Sequence, residues 1–141
     1  MDCRILVVDD DKTVRTSIAE YLNNLKYPTD MAENARMAMA RMKTTRYDIV
    51  VMEINMPRYS DVYSGRFLLY HIHNRHPSIR VIVVTGDASI ETGLEAMRLG
   101  ASSWMTKPFS LDTLEVKIKE LLRYKNIHAF PNRRKTNELN Y

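Results

Sequence analysis

This sequence of 141 residues has few cysteines and no long apolar run, the features that stabilise many secreted proteins and anchor chains in membranes. Cys3 is its one cysteine, which excludes a disulfide within the chain, and we expect this side chain to be buried or at a strand edge rather than reactive. No run of about 18 apolar residues occurs, so we expect no membrane span. Only four residues precede the first apolar run, which argues against a secretory signal and for a cytoplasmic protein.

The chain also carries little net positive charge outside its last 17 residues. The whole chain carries a formal net charge of +4, of which about +3 lies in residues 125–141, so residues 1–124 are near neutral. The basic run of this tail lacks interleaved aromatic residues and has no helix-turn-helix beside it, so we do not expect direct nucleic-acid binding. We interpret residues 125–141 as a basic tail or truncated linker, and residues 1–124 as one domain.

Three short apolar runs, rich in β-branched residues and not alternating with polar ones, predict buried strands of a parallel sheet. Segments with apolar residues three and four apart lie between them and predict amphipathic helices. Strands are expected near residues 4–8, 29–31, 49–53, 81–85 and 103–106, with the second at an edge of the sheet because Pro28 precedes it. Helices are expected over about residues 12–25, 34–43, 65–75, 88–98 and 111–123.

The alternation of strands and helices indicates βαβ units. Parallel strands need crossover connections, which are nearly always right-handed, so few topologies remain. The simplest is an α/β fold in which a doubly wound, five-stranded parallel sheet is packed against five helices.

Polar side chains stand at the ends of four of these strands. They are Asp9 and Asp10, Glu53, Thr85 and Lys107. Taken singly, each could be a helix cap or a solvent contact. Because ligands of open α/β sheets bind at the carboxyl edge, their coincidence there predicts a functional site.

Three carboxylates in one pocket require neutralisation, since two charges ~4 Å apart repel by about 4 kcal/mol at an effective dielectric constant of ~20. Lys107, proton uptake by one acid, or a hard divalent cation could supply it. Magnesium suits two acids and a carbonyl oxygen.

These residues resemble the receiver domain of two-component response regulators, the CheY-like superfamily, over about residues 3–124. The motifs are ILVVDD at residues 5–10, DIVVMEINMP at 48–57, VTG at 84–86 and WMTKPF at 104–109. The resemblance implies a flavodoxin-like sheet with strand order 2-1-3-4-5. It also implies a signalling function in a phosphorelay rather than an enzyme.

The resemblance assigns each site residue a role. It implies that Mg²⁺ is held by Asp10, by residue 53 and by the carbonyl of Asn55, with Asp9 acting through water.

It further implies that Thr85 and Lys107 contact the phosphoryl group, which accepts hydrogen bonds from both. Trp104 occupies the position of a switch aromatic that couples Thr85 to the outer surface, with a buried core tryptophan as the alternative. Pro108 matches a position where the preceding peptide bond is cis.

Two departures from the family pattern stand out. Glu53 replaces the phosphoacceptor aspartate, and its extra methylene should push the carboxylate outward by ~1.5 Å. We therefore expect a module that is not phosphorylated in the ordinary way, either biased toward the active conformation or locked. Its magnesium site should be weakened or absent if Glu53 distorts it. The second departure is an insertion, residues 58–64, which could shield the site, form a partner surface or be an ordinary surface loop.

The partners implied are a sensor histidine kinase or phosphotransfer protein, and an output domain or protein that meets the fourth helix, fifth strand and fifth helix. A homodimer through that surface is a further expectation.

Two other functions stay open. Asp9 and Asp11 also fit the D-x-D-x-T motif of haloacid dehalogenase-like, magnesium-dependent phosphatases, as nucleophile and as general acid and base. No acidic pair follows Lys107 on a sixth strand, which argues against this enzyme. The other alternative is a pure interaction module, a pseudo-receiver without phosphate chemistry.

Overall fold

The computed structural model describes residues 3–56 and 64–128, with side chains as far as residue 123. The strands are β1 (Ile5–Val8), β2 (Thr29–Ala32), β3 (Ile49–Met52), β4 (Arg80–Thr85) and β5 (Ser103–Thr106). The helices are α1 (Lys12–Asn24), α2 (Ala35–Thr44), α3 (Gly65–Arg75), α4 (Ile90–Arg98) and α5 (Leu111–His128). All strand pairs are parallel, in the order β2-β1-β3-β4-β5, which confirms the predicted fold and the edge position of β2.

The sheet is buried on both faces, as its continuous apolar strands predict. Successive strand residues point to opposite faces, so Leu6, Val50 and Val83 share the face that packs on α2, α3 and α4. The alternate residues of β1 and β3 face the other side, where α1 buries Ile18 and Leu22. Every residue of β1 and β3 is buried, so the sheet provides a rigid base for the loops at its carboxyl edge.

Helix boundaries follow local hydrogen bonds that the apolar pattern does not show. α4 begins at Ile90, two residues later than predicted, because the Ser89 hydroxyl caps the helix by accepting from the Thr92 N–H. Asp11 caps α1 by accepting from the N–H groups of Thr13 and Val14, as expected for an acid at that position.

Contacts within the chain divide it after Leu111, so α5 is described by itself. It extends to His128, past the predicted end of the domain at residue 124, and Leu114, Ile118 and Leu122 are buried along it. The domain boundary stays a prediction.

No helix in the described ranges is both long and apolar enough to cross a membrane. Of the predicted insertion, residues 58–63 lie outside the described residues, whereas Ser64 caps α3 by accepting from the Phe67 N–H.

Candidate functional site

Strand register brings four of the predicted side chains to one edge of the sheet. Val8 of β1 pairs with Met52 of β3, so the residues that follow, Asp9 and Glu53, leave the sheet side by side. The Glu53 N–H continues this ladder by donating to the Val8 carbonyl at 3.0 Å. On the other side of β3, the Lys107 N–H donates to the carbonyl of Thr85 at 2.7 Å, which places Lys107 beside the end of β4.

The centre of the site is an ammonium group that bridges two buried carboxylates. Lys107 Nζ donates to Asp9 Oδ2 at 2.9 Å and lies 3.0 Å from Glu53 Oε1. Asp9 is 1% exposed and Glu53 is 5% exposed, whereas the lysine side chain retains 22% of its surface. The peptide bond between Lys107 and Pro108 is cis, in agreement with the family resemblance.

The remaining oxygen of each carboxylate is used within its own loop. Asp9 Oδ1 accepts from the Asp11 N–H at 2.9 Å, and Glu53 Oε2 accepts from the Asn55 N–H at 2.8 Å. Glu53 therefore turns one oxygen onto the N–H group two residues ahead, and the expectation that its carboxylate lies farther out than that of an aspartate stays a prediction. Both carboxylates are thus anchored on both of their oxygens.

Burial and pairing act against each other on the ionisation of this cluster. Burial raises the pKa of Asp9, and this effect exceeds the lowering by the Asp11 N–H and by Lys107. Burial alone would lower the pKa of Lys107, but its hydrogen bonds to Asp9 and Glu53 outweigh burial and raise it. The lysine is therefore held in its charged form, as the counter-ion of the two acids.

The predicted magnesium ligands fit the ion in donor type but not in arrangement. Carboxylate oxygens are suitable ligands, yet the Lys107 ammonium lies between Asp9 and Glu53. Asp10 and Asn55 are exposed. Within the described ranges, no three histidine, cysteine, aspartate or glutamate side chains are grouped so that they could hold a metal ion. In this arrangement the counter-charge is Lys107.

Thr85 is joined to Glu53 through Asn55 rather than directly. The Asn55 side-chain amide donates to Thr85 Oγ1 at 3.3 Å, and the Asp87 N–H donates to the same oxygen at 3.1 Å. Thr85 is completely buried, so this hydroxyl fixes the Glu53–Asn55 loop against the loop that leads to α4. Asp87 in turn accepts from Thr92 and Ser89, which ties the first turn of α4 to the same network.

A second connection to α4 was not predicted. Arg66 Nη1 donates to Asn55 Oδ1 at 2.9 Å, and Arg66 Nε donates to Glu95 Oε2 at 2.8 Å. Gly65 lets α3 begin here, because a Cβ at that position would collide with the backbone of Ile54. Arg66 and Glu95 are 29 residues apart, and no periodic pattern in the sequence links them. The one feature that could have indicated this contact is the charge of Arg66, the second residue of α3.

Trp104 lies on β5, paired in register with Val83, and its indole ring is partly buried against α4. A Cβ on Gly93 would collide with this ring, so glycine is required for the close approach of helix and indole. The role of Trp104 as a switch stays a prediction, but the ring does lie between β5 and α4.

Known proteins are similar to this chain in sequence and in fold. The sequence matches the response regulator receiver domain family over residues 5–119. Response regulator MprA of Mycolicibacterium vanbaalenii is 31% identical over 123 residues, which are 87% of this chain and 52% of that protein. Regulatory protein AtoC of Escherichia coli is 32% identical over 124 residues, or 88% of this chain and 26% of that protein. The chain thus spans about half or less of these two relatives.

Solved receiver structures superpose closely on it. The CheY-like receiver domain of Methanospirillum hungatei has a TM-score of 0.82 and 29% identity, with 90% of this chain and 98% of that chain covered. The BeF3-activated DrrB receiver domain has a TM-score of 0.78 and 27% identity, with 87% and 99% covered. With the family matched over most of its length, this chain belongs to the response regulator receiver domains.

Proposed function

We propose that this chain is a receiver module of two-component signalling that works without ordinary phosphorylation, and that it is locked by Glu53 and Lys107. The observation that carries the proposal is the bridge between Lys107 and the two buried acids. A phosphoryl group arriving at Glu53 would have to displace the hydrogen bond at the oxygen that it joins, from the Lys107 ammonium at Oε1 or from the Asn55 N–H at Oε2. Each is a charge-assisted hydrogen bond in a buried site, so the displacement is costly.

The same arrangement supports the proposal that Mg²⁺ binds weakly. A divalent ion would compete with an ammonium group already within hydrogen-bond distance of Asp9 and Glu53. Asp10 and the Asn55 carbonyl stay the proposed additional ligands, together with Glu53. We expect Glu53→Asp, whose carboxylate is ~1.5 Å shorter in reach, to loosen the contact with Lys107 and to bind the ion more tightly.

We propose that output uses α4 and β5. Ile90, Leu94 and Met97 are 69%, 52% and 43% exposed. Their spacing of four and three residues places them on one side of α4, where they form an exposed apolar stripe. A partner protein or an appended output domain would cover this stripe, and α5 stays the proposed third element of the surface. A histidine kinase or phosphotransfer protein would dock without transferring a phosphoryl group.

The test is titration with acetyl phosphate and with beryllofluoride in the presence of Mg²⁺, followed by intact mass and Trp104 fluorescence. We expect no added phosphoryl mass and no saturable fluorescence change in the unsubstituted chain. We expect both in Glu53→Asp, which serves as the positive control. A stoichiometric acyl phosphate on the unsubstituted chain would refute the proposal.

A phosphatase function is not supported by the site. Asp11, the required general acid and base of that mechanism, accepts from two N–H groups of α1 and acts as its cap. We expect no magnesium-dependent hydrolysis of an aryl phosphate, and turnover that disappears in Asp9→Asn would reverse this conclusion.

A further inference from the structure

Away from the carboxyl edge, the surface between α2 and α3 contains a groove that the receiver function does not use. It consists of two cavities of about 580 and 410 Å³, which share the side chains of Lys43, Arg75 and His76. We call it the basic trough. Its charged and titratable lining is Arg36, Lys43, Arg46, His71, Arg75 and His76.

The basic trough has one sign of charge. Among the described residues that line the two cavities there is no aspartate or glutamate. Within the described part of the chain, no ion pair involves Lys43, Arg46 or Arg75. Lys43 and Arg75 lie in the last turns of α2 and α3, where the helix dipoles favour cations. The dipoles explain why each cation is tolerated, but they do not explain why two such helix ends meet without an acid between them.

The pKa of His71 reflects the positive potential of the basic trough. Its ring stacks on Phe67 at a centroid distance of 6.3 Å and contacts His76 at 5.6 Å. Burial lowers the pKa of His71, and the charges of His76, Arg75 and Lys43 lower it further. The potential at His71 is therefore positive, and it would attract an anion that enters the trough.

The shape and the overall charge indicate which anion fits. The lining follows α2 from Arg36 to Thr44, a length of ~13 Å, which an extended peptide of about four residues would span. Met39, Ala40 and Phe67 form an apolar part of the lining. Residues 1–124 are near neutral in total, so the positive charge is local, unlike the broad basic surface that nucleic-acid binding requires.

We propose that the basic trough binds an acidic segment of a partner protein, in which carboxylates face Lys43 and Arg75 and an apolar side chain lies on Phe67 and Met39. This surface is separate from the Glu53 site and from the apolar stripe of α4, and the proposal holds whether or not the chain accepts a phosphoryl group.

The experiment measures binding of a rhodamine-labelled octapeptide of six glutamates and two leucines to the full chain by fluorescence anisotropy. We expect saturable binding, and a loss of affinity of about tenfold or more in the double variant Lys43→Glu, Arg75→Glu, since each reversal removes an attraction and adds a repulsion. The matched control is Arg41→Glu, Arg98→Glu, which changes the net charge equally at exposed positions outside the trough. It should weaken binding by about twofold or less. Far-UV circular dichroism verifies that each variant is folded.

A second measurement locates the peptide. We expect it to raise the pKa of His71, followed by NMR of the imidazole, because its carboxylates offset the charges of Lys43, Arg75 and His76. Equal loss of affinity in the control variant, absence of saturable binding, or an unchanged His71 would each overturn the proposal. Tighter binding of an eight-nucleotide oligothymidylate that depends on Lys43 and Arg75 would also overturn it and would make the trough a nucleic-acid site.

Discussion

Replacing Lys107 with methionine would leave two buried carboxylates without their counter-charge. Two oxygens held by one ammonium at 2.9 and 3.0 Å lie about 5 Å apart, so Asp9 and Glu53 would repel by about 3 kcal/mol at an effective dielectric constant of ~20. Methionine preserves much of the packing of the lysine stem, which isolates the charge. We expect Lys107→Met to lower the free energy of unfolding by about 2–4 kcal/mol at pH 7, as for other buried pairs that lose one partner.

The sign of the pH dependence distinguishes this cause from a packing defect. In the variant, an acid whose folded-state pKa lies above its unfolded value costs stability at neutral pH, and this cost disappears as the pH falls through the folded pKa. The deficit should therefore shrink as the pH falls from 7 toward 3.8, the ordinary pKa of an aspartate. In the unsubstituted chain, the raised pKa of Lys107 contributes stability that is present below its ordinary value of 10.5 and is lost as the pH rises through the folded value.

Urea unfolding followed by circular dichroism and by Trp104 fluorescence measures these differences. Lys119→Met is the matched control, because Lys119 forms an exposed pair with Glu115 and retains 58% of its surface; its loss should cost less than about 0.5 kcal/mol. A deficit below about 1 kcal/mol for Lys107→Met, or one that does not shrink as the pH falls from 7 toward 3.8, would refute the reasoning.

Three further predictions follow from contacts outside the carboxylate cluster. Arg66→Ala breaks the link from the site to Glu95 and, since both side chains are more than a third exposed, should cost about 0.5–1.5 kcal/mol and speed amide exchange in α4. Gly93→Ala gains about 1 kcal/mol of helix propensity, but collision with Trp104 should produce a net loss of about 1–3 kcal/mol and an altered fluorescence spectrum. Burial and the nearby Asp30 raise the pKa of Tyr47 to about 12, so Tyr47→Phe should remove one phenol that ionises near pH 12 from an alkaline absorbance titration.

The first two of these predictions have a control variant, and the third has a second measurement. Arg41→Ala removes an exposed cation without a contact to α4, so equal acceleration of exchange in that variant would count against the Arg66 link. Gly86→Ala introduces a Cβ into open space, and an equal loss there would show that steric contact with the indole is not the cause. The Tyr47 phenol should also lower stability as the pH rises from its unfolded pKa near 10 toward 12, and a flat profile would contradict its burial.

The fold was predictable because its signals are local and repeated. Uninterrupted apolar runs rich in β-branched residues predicted β1, β3 and β4, and the parallel register then placed Asp9, Glu53, Thr85 and Lys107 at one edge without knowledge of any side-chain conformation. Arg66 could not be predicted, because its partners Asn55 and Glu95 come from separate loops and helices and follow no periodicity. The start of α4 was missed for a similar reason, since hydroxyl and carboxylate caps decide it rather than apolar spacing.

Glu53 shows how far the identity of a residue predicts its chemistry. Its position at the end of an apolar run was evident from the sequence, but the direction of its carboxylate depends on which N–H group is within reach. Asp9 accepts from the N–H of Asp11, two residues ahead, and Glu53 makes the equivalent contact to Asn55. The longer side chain thus keeps its carboxylate between Lys107 and its own loop. On the hydrogen bond from the Asn55 N–H and the pairing with Lys107, we therefore propose a locked receiver rather than a phosphomimetic one.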